Sequence, residues 1–215
     1  MPTKLPTMLQ EIPAEIIDTD LLIVGGGNAG CFVAVEAKTR QPNLNVAIME
    51  KAHIHRSGAT ASGMDAINTY IPKGESVESL IRWSRAQVGG LIREDLAISN
   101  AEILNQSVES LEAWGLPIVK DENGEYKRRG RWDIAIRGEQ LKPIMAEKAQ
   151  AAGARVYNRV VATNLVMQDG RCVGAMGFGV RDGTFYLFRA KATIVATGGA
   201  CGLYRSPTND ATSSH

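Results

Sequence analysis

D-L-L-I-V-G-G-G-N-A-G, Asp20 to Gly30, is the stretch whose reading decides the fold. Leu21 to Val24 is a short continuous apolar run that breaks into glycines, the pattern of a strand buried on both faces. Gly25, Gly27 and Gly30 follow in G-x-G-x-x-G spacing, and the small and apolar residues from Ala29 onward read as a helix. Each glycine has a mechanical task. Gly25 permits the tight turn out of the strand, Gly27 lets the backbone approach a pyrophosphate, and Gly30 lets the helix pack closely on the sheet. The helix start offers unpaired N–H groups and a partial positive charge to the phosphates. A second strand, Asn45 to Met49, delivers Glu50 twenty residues after Gly30, where an acidic side chain bonds the ribose hydroxyls of an adenine dinucleotide. A lone G-x-G-x-x-G is a weak signal. Between a strand and a helix, with this acid downstream, it predicts a dinucleotide fold rather than a structural glycine turn.

Composition sets the outer limits. At 215 residues, with 44% hydrophobic and 22% charged residues, the chain reads as a globular protein long enough for one good core. A net charge of +1 argues against bulk attraction to nucleic acid or membrane. No run reaches eighteen apolar residues, so no transmembrane segment is expected. The N-terminus lacks the apolar core of a secretory signal, so residues 1–19 read as a tail and the location as cytoplasmic. Cys31, Cys172 and Cys201 are odd in number and far apart, which argues against disulfides, a zinc site or an iron–sulfur cluster within this chain. No metal is expected.

Beyond Glu50 and Lys51, the segment from Ser57 to Gly63 is rich in small residues and hydroxyls, with no helical or strand period. Such a loop can press its backbone against a cofactor and offer donors to it. The apolar positions after it, Met64, Ile67, Tyr70 and Ile71, predict that it packs inward. Two helices are predicted next. Ser76 caps the first, and the second, Glu94 to Trp114, presents Leu96, Ile103, Leu104, Val108 and Leu111. Trp83 and Trp114 are expected in the core. Asp121 to Gly124 reads as a hairpin turn, followed by a basic cluster at Lys127, Arg128, Arg129 and Arg131 with Arg137 close behind. That cluster reads equally as a solvated rim or as a surface for an anion. A helix is expected over Gly138 to Ala152.

From Ala154 the chain turns strand-rich, with Val160 to Met167, Cys172 to Val180 and Thr184 to Phe188 separated by the hairpin signals Asp169-Gly170 and Asp182-Gly183. This reads as an antiparallel meander inserted before Ala192 to Val195 returns as a buried parallel strand ending A-T-G-G. The expected fold is α/β, a Rossmann-like domain with an inserted β-meander. The order describes a flavoprotein better than a nicotinamide dehydrogenase, which would continue with plain β–α units.

On G-G-G-N-A-G-C (Gly25 to Cys31), E-K (Glu50, Lys51) and A-T-G-G-A-C-G-L-Y-R (Ala196 to Arg205), the chain resembles the flavoprotein subunits of the fumarate reductase and succinate dehydrogenase superfamily. R-S-G-A-T-A-S-G-M-D-A-I-N-T-Y (Arg56 to Tyr70), G-L-I-R-E-D-L (Gly90 to Leu96) and G-R-W-D-I (Gly130 to Ile134) make it most similar to the dissimilatory adenylylsulfate reductase branch. The resemblance implies an FAD-binding domain over residues 20–215. It places the FAD pyrophosphate on Gly25 to Gly30, especially Gly27, Asn28 and Ala29, the adenosine ribose on Glu50 beside Lys51, and the stretch towards the flavin on Ser57, Gly58, Ser62 and Gly63. Backbone at Val161 and Ala162 would meet the adenine, and Thr197, Gly198 and Gly199 would close the second side. Arg137 and Arg205 are anion-contact candidates, and no catalytic acid or base is named.

Two departures from the family pattern matter. Respiratory members carry R-S-H-T, whose histidine bonds covalently to the flavin, whereas this chain has Arg56-Ser57-Gly58-Ala59, so non-covalent FAD is expected. His53 and His55 lie out of register. Family members also run several hundred residues, so this chain reads as an N-terminal piece without the capping and helical C-terminal domains, itself expected to be inactive. The resemblance implies two-electron interconversion of adenylylsulfate with sulfite and AMP, a small anionic substrate, and electrons from a ferredoxin-like iron–sulfur beta subunit. A flavoprotein acting on a C4 dicarboxylate, as in fumarate reductase, succinate dehydrogenase or L-aspartate oxidase, is the second reading. A non-catalytic FAD-binding fragment is the third.

Overall fold

The computed structural model describes residues 14–199, which divide into two compact units. One takes the chain up to Ala61 and again from Met145; the other is Ser62–Ile144.

The first unit is built on a six-stranded sheet. Its strands are β1 (Ala14–Val24), β2 (Val46–Glu50), β5 (Arg155–Asn158), β6 (Val160–Gln168), β7 (Arg171–Gly179) and β8 (Phe185–Val195), in the order β5-β2-β1-β8-β7-β6. The β2–β5, β1–β2 and β1–β8 pairs are parallel, while β7 and β6 continue the sheet antiparallel. Leu22, Ile23, Ala47 and Ile48 are fully buried, as the continuous apolar runs of β1 and β2 require. Helix α1 (Asn28–Arg40) buries Gly30, Cys31 and Ala34, so only small side chains lie on its packed face. On a second core surface Phe188 is fully buried among Ile17, Leu22, Met49 and Ala175. The ring of Tyr157 stands edge-on to it at 5.0 Å.

The expected α/β fold with its antiparallel meander is present, with one difference in strand bounds. Thr184 to Phe188 and Ala192 to Val195, expected as two strands, are parts of one continuous β8, which pairs antiparallel with β7 and parallel with β1. The third strand of the meander is therefore the returning strand itself. The turns follow their sequence signals. Asp169 and Gly170 both take positive φ, at 49° and 75°, as a two-residue type I′ hairpin loop requires. The returning strand is less enclosed than its apolar run suggests, with Ile194 38% and Val195 58% exposed.

The structure also moves the start of the domain. Ala14 to Thr19, expected in the tail, form the first half of β1, paired with β8 from Phe185 onward. This half is mostly exposed and its apolar residues are interrupted by Glu15, Asp18 and Thr19, so a search for a continuous apolar run does not see it. Ion pairs cross between the two strands: Asp18 pairs with Arg189 and Asp20 with Lys191, each at 2.6 Å. Hydrogen bonds from Arg189 and Lys191 hold the two carboxyls below the ordinary aspartate range.

In the second unit, α2 (Val77–Gln87) opens with the expected Ser76 cap. Ser79 N–H donates to Ser76 Oγ at 3.3 Å, and Ser76 N–H donates to Ser79 Oγ at 3.1 Å. Helix α3 (Glu94–Ala113) buries Ala101, Val108 and Leu111, whereas Leu96 and Ile103, expected inward, are 60% and 55% exposed. The core indole is Trp132 at 2% exposure, while Trp83 lies against it half-exposed and Trp114 is partly buried. The two-residue strands β3 (Ala66–Ile67) and β4 (Ile134–Ala135) pair antiparallel. The basic cluster is largely tied down: Arg129 pairs with Asp65, Arg131 with Glu75, and Arg128 donates to the Arg131 carbonyl. The helix expected from Gly138 begins as a 3₁₀ turn, Gly138–Gln140, before α4 (Leu141–Ala151). No helix among the described residues is long and apolar enough to cross a membrane.

Two stability predictions follow from the sheet. Phe188→Ala should lower stability by about 3–5 kcal/mol, read as the shift in a urea unfolding midpoint. Because Asp18 and Asp20 have depressed folded pKa values, their stabilisation is present above the ordinary aspartate range and is lost as pH falls below it. The double variant Asp18→Asn/Asp20→Asn should flatten the acid side of a stability–pH curve; an unchanged curve would show these pairs carry none of it.

Candidate cofactor site

The parallel strands β1, β2 and β8 release their chains at the same edge of the sheet, the carboxyl end where open α/β sheets bind ligands. Backbone bonds cinch the exits together: Gly25 N–H donates to the Met49 carbonyl and Ala196 N–H to the Val24 carbonyl, both at 2.8 Å. Gly25 sits at φ +106°, and a Cβ there would lie 2.5 Å from the Ala196 oxygen. At Gly30 a Cβ would lie 2.0 Å from the Gly25 oxygen, so the turn and the first helical turn are in direct backbone contact. Gly27 is the opposite case. It is the N-cap of α1, offers no side-chain cap, and a Cβ there meets nothing within 4 Å. The helix thus presents its first N–H groups across open space.

That space is a cavity of about 530 Å³, within the size range of ligand pockets. Its floor is Gly25, Gly27, Asn28 and Ala29, and the end of β2 supplies Met49, Glu50 and Lys51. The loop Gly58 to Thr60 forms one side, with Val160, Val161 and Ala162 from the start of β6. Val195 to Gly199, leaving β8, completes it. Glu50 is 2% exposed. Its Oε2 accepts from Gly26 N–H and its Oε1 from Ala52 N–H, each at 2.7 Å. Both oxygens keep a further lone pair for a hydroxyl donor, which is the chemistry of a ribose diol.

Of the residues singled out from sequence, Gly25, Gly27, Asn28, Ala29, Glu50, Lys51, Gly58, Val161, Ala162, Thr197, Gly198 and Gly199 line this cavity. Gly30 and Ser57 do not. Gly30 acts behind the wall as a packing contact, and Ser57, 4% exposed, points its hydroxyl at the Gly26 oxygen at 3.5 Å. Ser62 and Gly63 follow the last lining residue of their loop, Thr60, and fall in the unit Ser62–Ile144, as does the exposed Arg137. Arg205 lies outside the described residues. Sequence reasoning missed Ala59 and Thr60, although it flagged the hydroxyl-rich loop that carries them. It also missed Met49, Val160 and Ala196, each next to a residue it named. His53 and His55 are not lining residues; His55 Nε2 lies 3.0 Å from Gln150 Oε1. Burial and the neighbouring charges of His55, Arg56 and Arg159 push the His53 pKa down. Among the described residues no group of His, Cys, Asp and Glu could hold a metal ion.

Residues 20–215 match the family model described as FAD binding domain. The chain belongs to the FAD binding domain family. FAD is its cofactor, and the uncapped helix start, the open cradle at Gly27 and the buried Glu50 carboxylate fit that group. The alpha subunit of adenylylsulfate reductase from Megalodesulfovibrio gigas is 36% identical, over 86% of this chain and 32% of its own length. The solved adenylylsulfate reductase of Archaeoglobus fulgidus superposes with a TM-score of 0.84 at 42% identity, covering 94% of this chain and 34% of that one. The 8-methylmenaquinol:fumarate reductase flavoprotein subunit of Wolinella succinogenes is 29% identical, over 92% of this chain and 33% of its own length. The chain spans about a third of the length of these relatives.

The two kinds of glycine separate experimentally. Gly27→Ala should leave the unfolding midpoint of the apoprotein within about 0.5 kcal/mol of wild type, since its methyl enters open space. It should weaken FAD binding at least tenfold, because the diphosphate is expected to approach through that space. Gly30→Ala should instead destabilise the apoprotein itself, by about 1–3 kcal/mol or more. Apoprotein melts and flavin fluorescence titrations read the two effects, and the reverse pattern would refute the assignment of this cavity.

Proposed function

We propose that this chain is the cofactor-binding part of an FAD-dependent oxidoreductase, a flavoprotein subunit that interconverts adenylylsulfate with sulfite and AMP. The observation that carries the substrate choice is the 42% identity to the Archaeoglobus fulgidus adenylylsulfate reductase across 94% of the chain. In this reading the N–H groups at Asn28, Ala29 and Gly30 hold the FAD diphosphate, and Glu50 holds the adenosine ribose with Lys51 beside it. Backbone at Val161 and Ala162 meets the adenine, and Thr197 to Gly199 close the second side. Ser57, Gly58, Ser62 and Gly63 belong to the flavin side of the loop, and Arg137 and Arg205 remain anion-contact candidates. Gly58 has no side chain with which to bond the flavin, so attachment is non-covalent.

Bound FAD supplies a two-electron carrier. Adenylylsulfate takes up two electrons, its sulfur–oxygen bond to the AMP phosphate breaks, and sulfite and AMP leave. The residues described here position the carrier and exclude water from it. The electrons come from a separate iron–sulfur subunit, in keeping with cysteines that are few and far apart in this chain.

The second reading, a flavoprotein acting on a C4 dicarboxylate, is favoured by the 29% identity to the Wolinella succinogenes fumarate reductase subunit. Assaying the full-length protein with its partner subunit separates the two. AMP-dependent oxidation of sulfite is the expected activity, and reduction of fumarate without it would overturn the proposal. A full-length protein that purifies with flavin absorbance but turns over neither substrate would favour a cofactor-binding role alone.

A further inference from the structure

The loop that follows β2 reaches the start of α1 with glycine on both sides of the contact: a Cβ at Gly58 would stand 3.5 Å from the Gly27 Cα. Side chains on either side of Gly58 make the polar connections. Ser57 Oγ lies 3.5 Å from the Gly26 oxygen, at the outer limit of a hydrogen bond. Thr60 Oγ1 donates to Asn28 Oδ1 at 3.0 Å, a well-formed bond between residues 32 positions apart. Asn28 is the first residue of α1, its neighbour Gly27 provides no cap, and both Asn28 and Thr60 line the cavity. The bond occupies the carbonyl side of the Asn28 amide. The other polar group of that amide is Nδ2, with two donors. Those donors stand beside the uncapped helix start, which is chemistry that recognises an anionic diphosphate oxygen.

We propose that Thr60 is a positioning residue for the cofactor: its hydroxyl fixes the Asn28 amide with the N–H donors turned to the FAD diphosphate, and clips the loop onto α1. The inference rests on the cofactor assignment of this cavity. It gives non-covalent FAD a retention device at the loop that lacks a side chain at Gly58.

The test uses full-length protein stripped of flavin and titrated with FAD, with Thr60→Val, Thr60→Ala, Thr60→Ser, Asn28→Ala and the Thr60→Val/Asn28→Ala double variant. Thr60→Val and Thr60→Ala should raise the FAD dissociation constant about fivefold, the loss of one neutral hydrogen bond, while Thr60→Ser stays within about twofold of wild type. In the Asn28→Ala background Thr60→Val should add nothing, because its partner is already gone. Wild-type affinity in both hydroxyl deletions would overturn the proposal, as would an undiminished Thr60→Val effect on Asn28→Ala. A drop in apoprotein melting temperature with no change in FAD affinity would also overturn it, making the bond merely structural. Failure of the wild-type apoprotein to take up FAD would overturn the cofactor assignment itself, a different result from FAD uptake that ignores Thr60.

Discussion

Everything at the carboxyl edge of the sheet depends on how closely Gly25 and Gly30 approach each other. With no Cβ on Gly30, the Gly25 carbonyl sits where that methyl would be, and α1 starts directly over the end of β1. Gly26, held inside this turn, is then tied from two directions. Its N–H is taken by Glu50 Oε2 at 2.7 Å, and its oxygen is approached by the Ser57 hydroxyl and by Cys31 Sγ at 3.4 Å. A backbone unit that would be an orphan in an ordinary tight turn is satisfied by residues from the end of β2, the following loop and the helix itself. Glu50 therefore has two tasks. It closes the turn with one oxygen and keeps lone pairs available to a ligand.

That economy explains what was readable and what was not. The fingerprint glycines and Glu50 answer to local geometry, so their types and spacing are visible in the chain. Gly27 was readable as a ligand-facing glycine and Gly30 as a packing glycine, and the spaces around their absent Cβ atoms agree with that division. The Ser57 hydroxyl lies 3.5 Å from the Gly26 oxygen, a backbone contact that a hydroxyl in a small-residue loop can make as readily as one to a cofactor. Thr60 went unnamed because its role depends on Asn28, 32 residues away, and nothing in the local pattern links them.

The fold shows the same limit on a larger scale. Hydrophobic runs marked the inner halves of β1 and β2, which are buried. They did not mark Ala14 to Thr19, where only Ile17 and Thr19 are buried and the exposed Asp18 lies between them. Apolar periodicity likewise mis-aimed part of α3. Leu96 and Ile103 fit a helical stripe, but the face that packs in this unit runs through Ala101, Val108 and Leu111. Where packing is between small residues, or where a strand is mostly exposed, hydropathy carries little of the information.

The chemistry of the cavity wall bears on why cofactor and substrate differ so much in legibility. Most of the wall is backbone, glycine, alanine, valine or methionine, and its side-chain polar groups belong to Asn28, Glu50, Lys51, Thr60 and Thr197. One carboxylate, one ammonium and a few neutral donors suit a long ligand with ribose hydroxyls at one end and a diphosphate in the middle. Among the described residues this wall holds no paired cations of the kind that grip a sulfate or a dicarboxylate. Recognition through backbone N–H groups needs only particular glycines and a particular strand order, which many members of a family can share while acting on different substrates. The described part of this wall thus speaks to the cofactor alone, and the motifs that set one branch of relatives apart, Gly90 to Leu96 and Gly130 to Ile134, lie outside it.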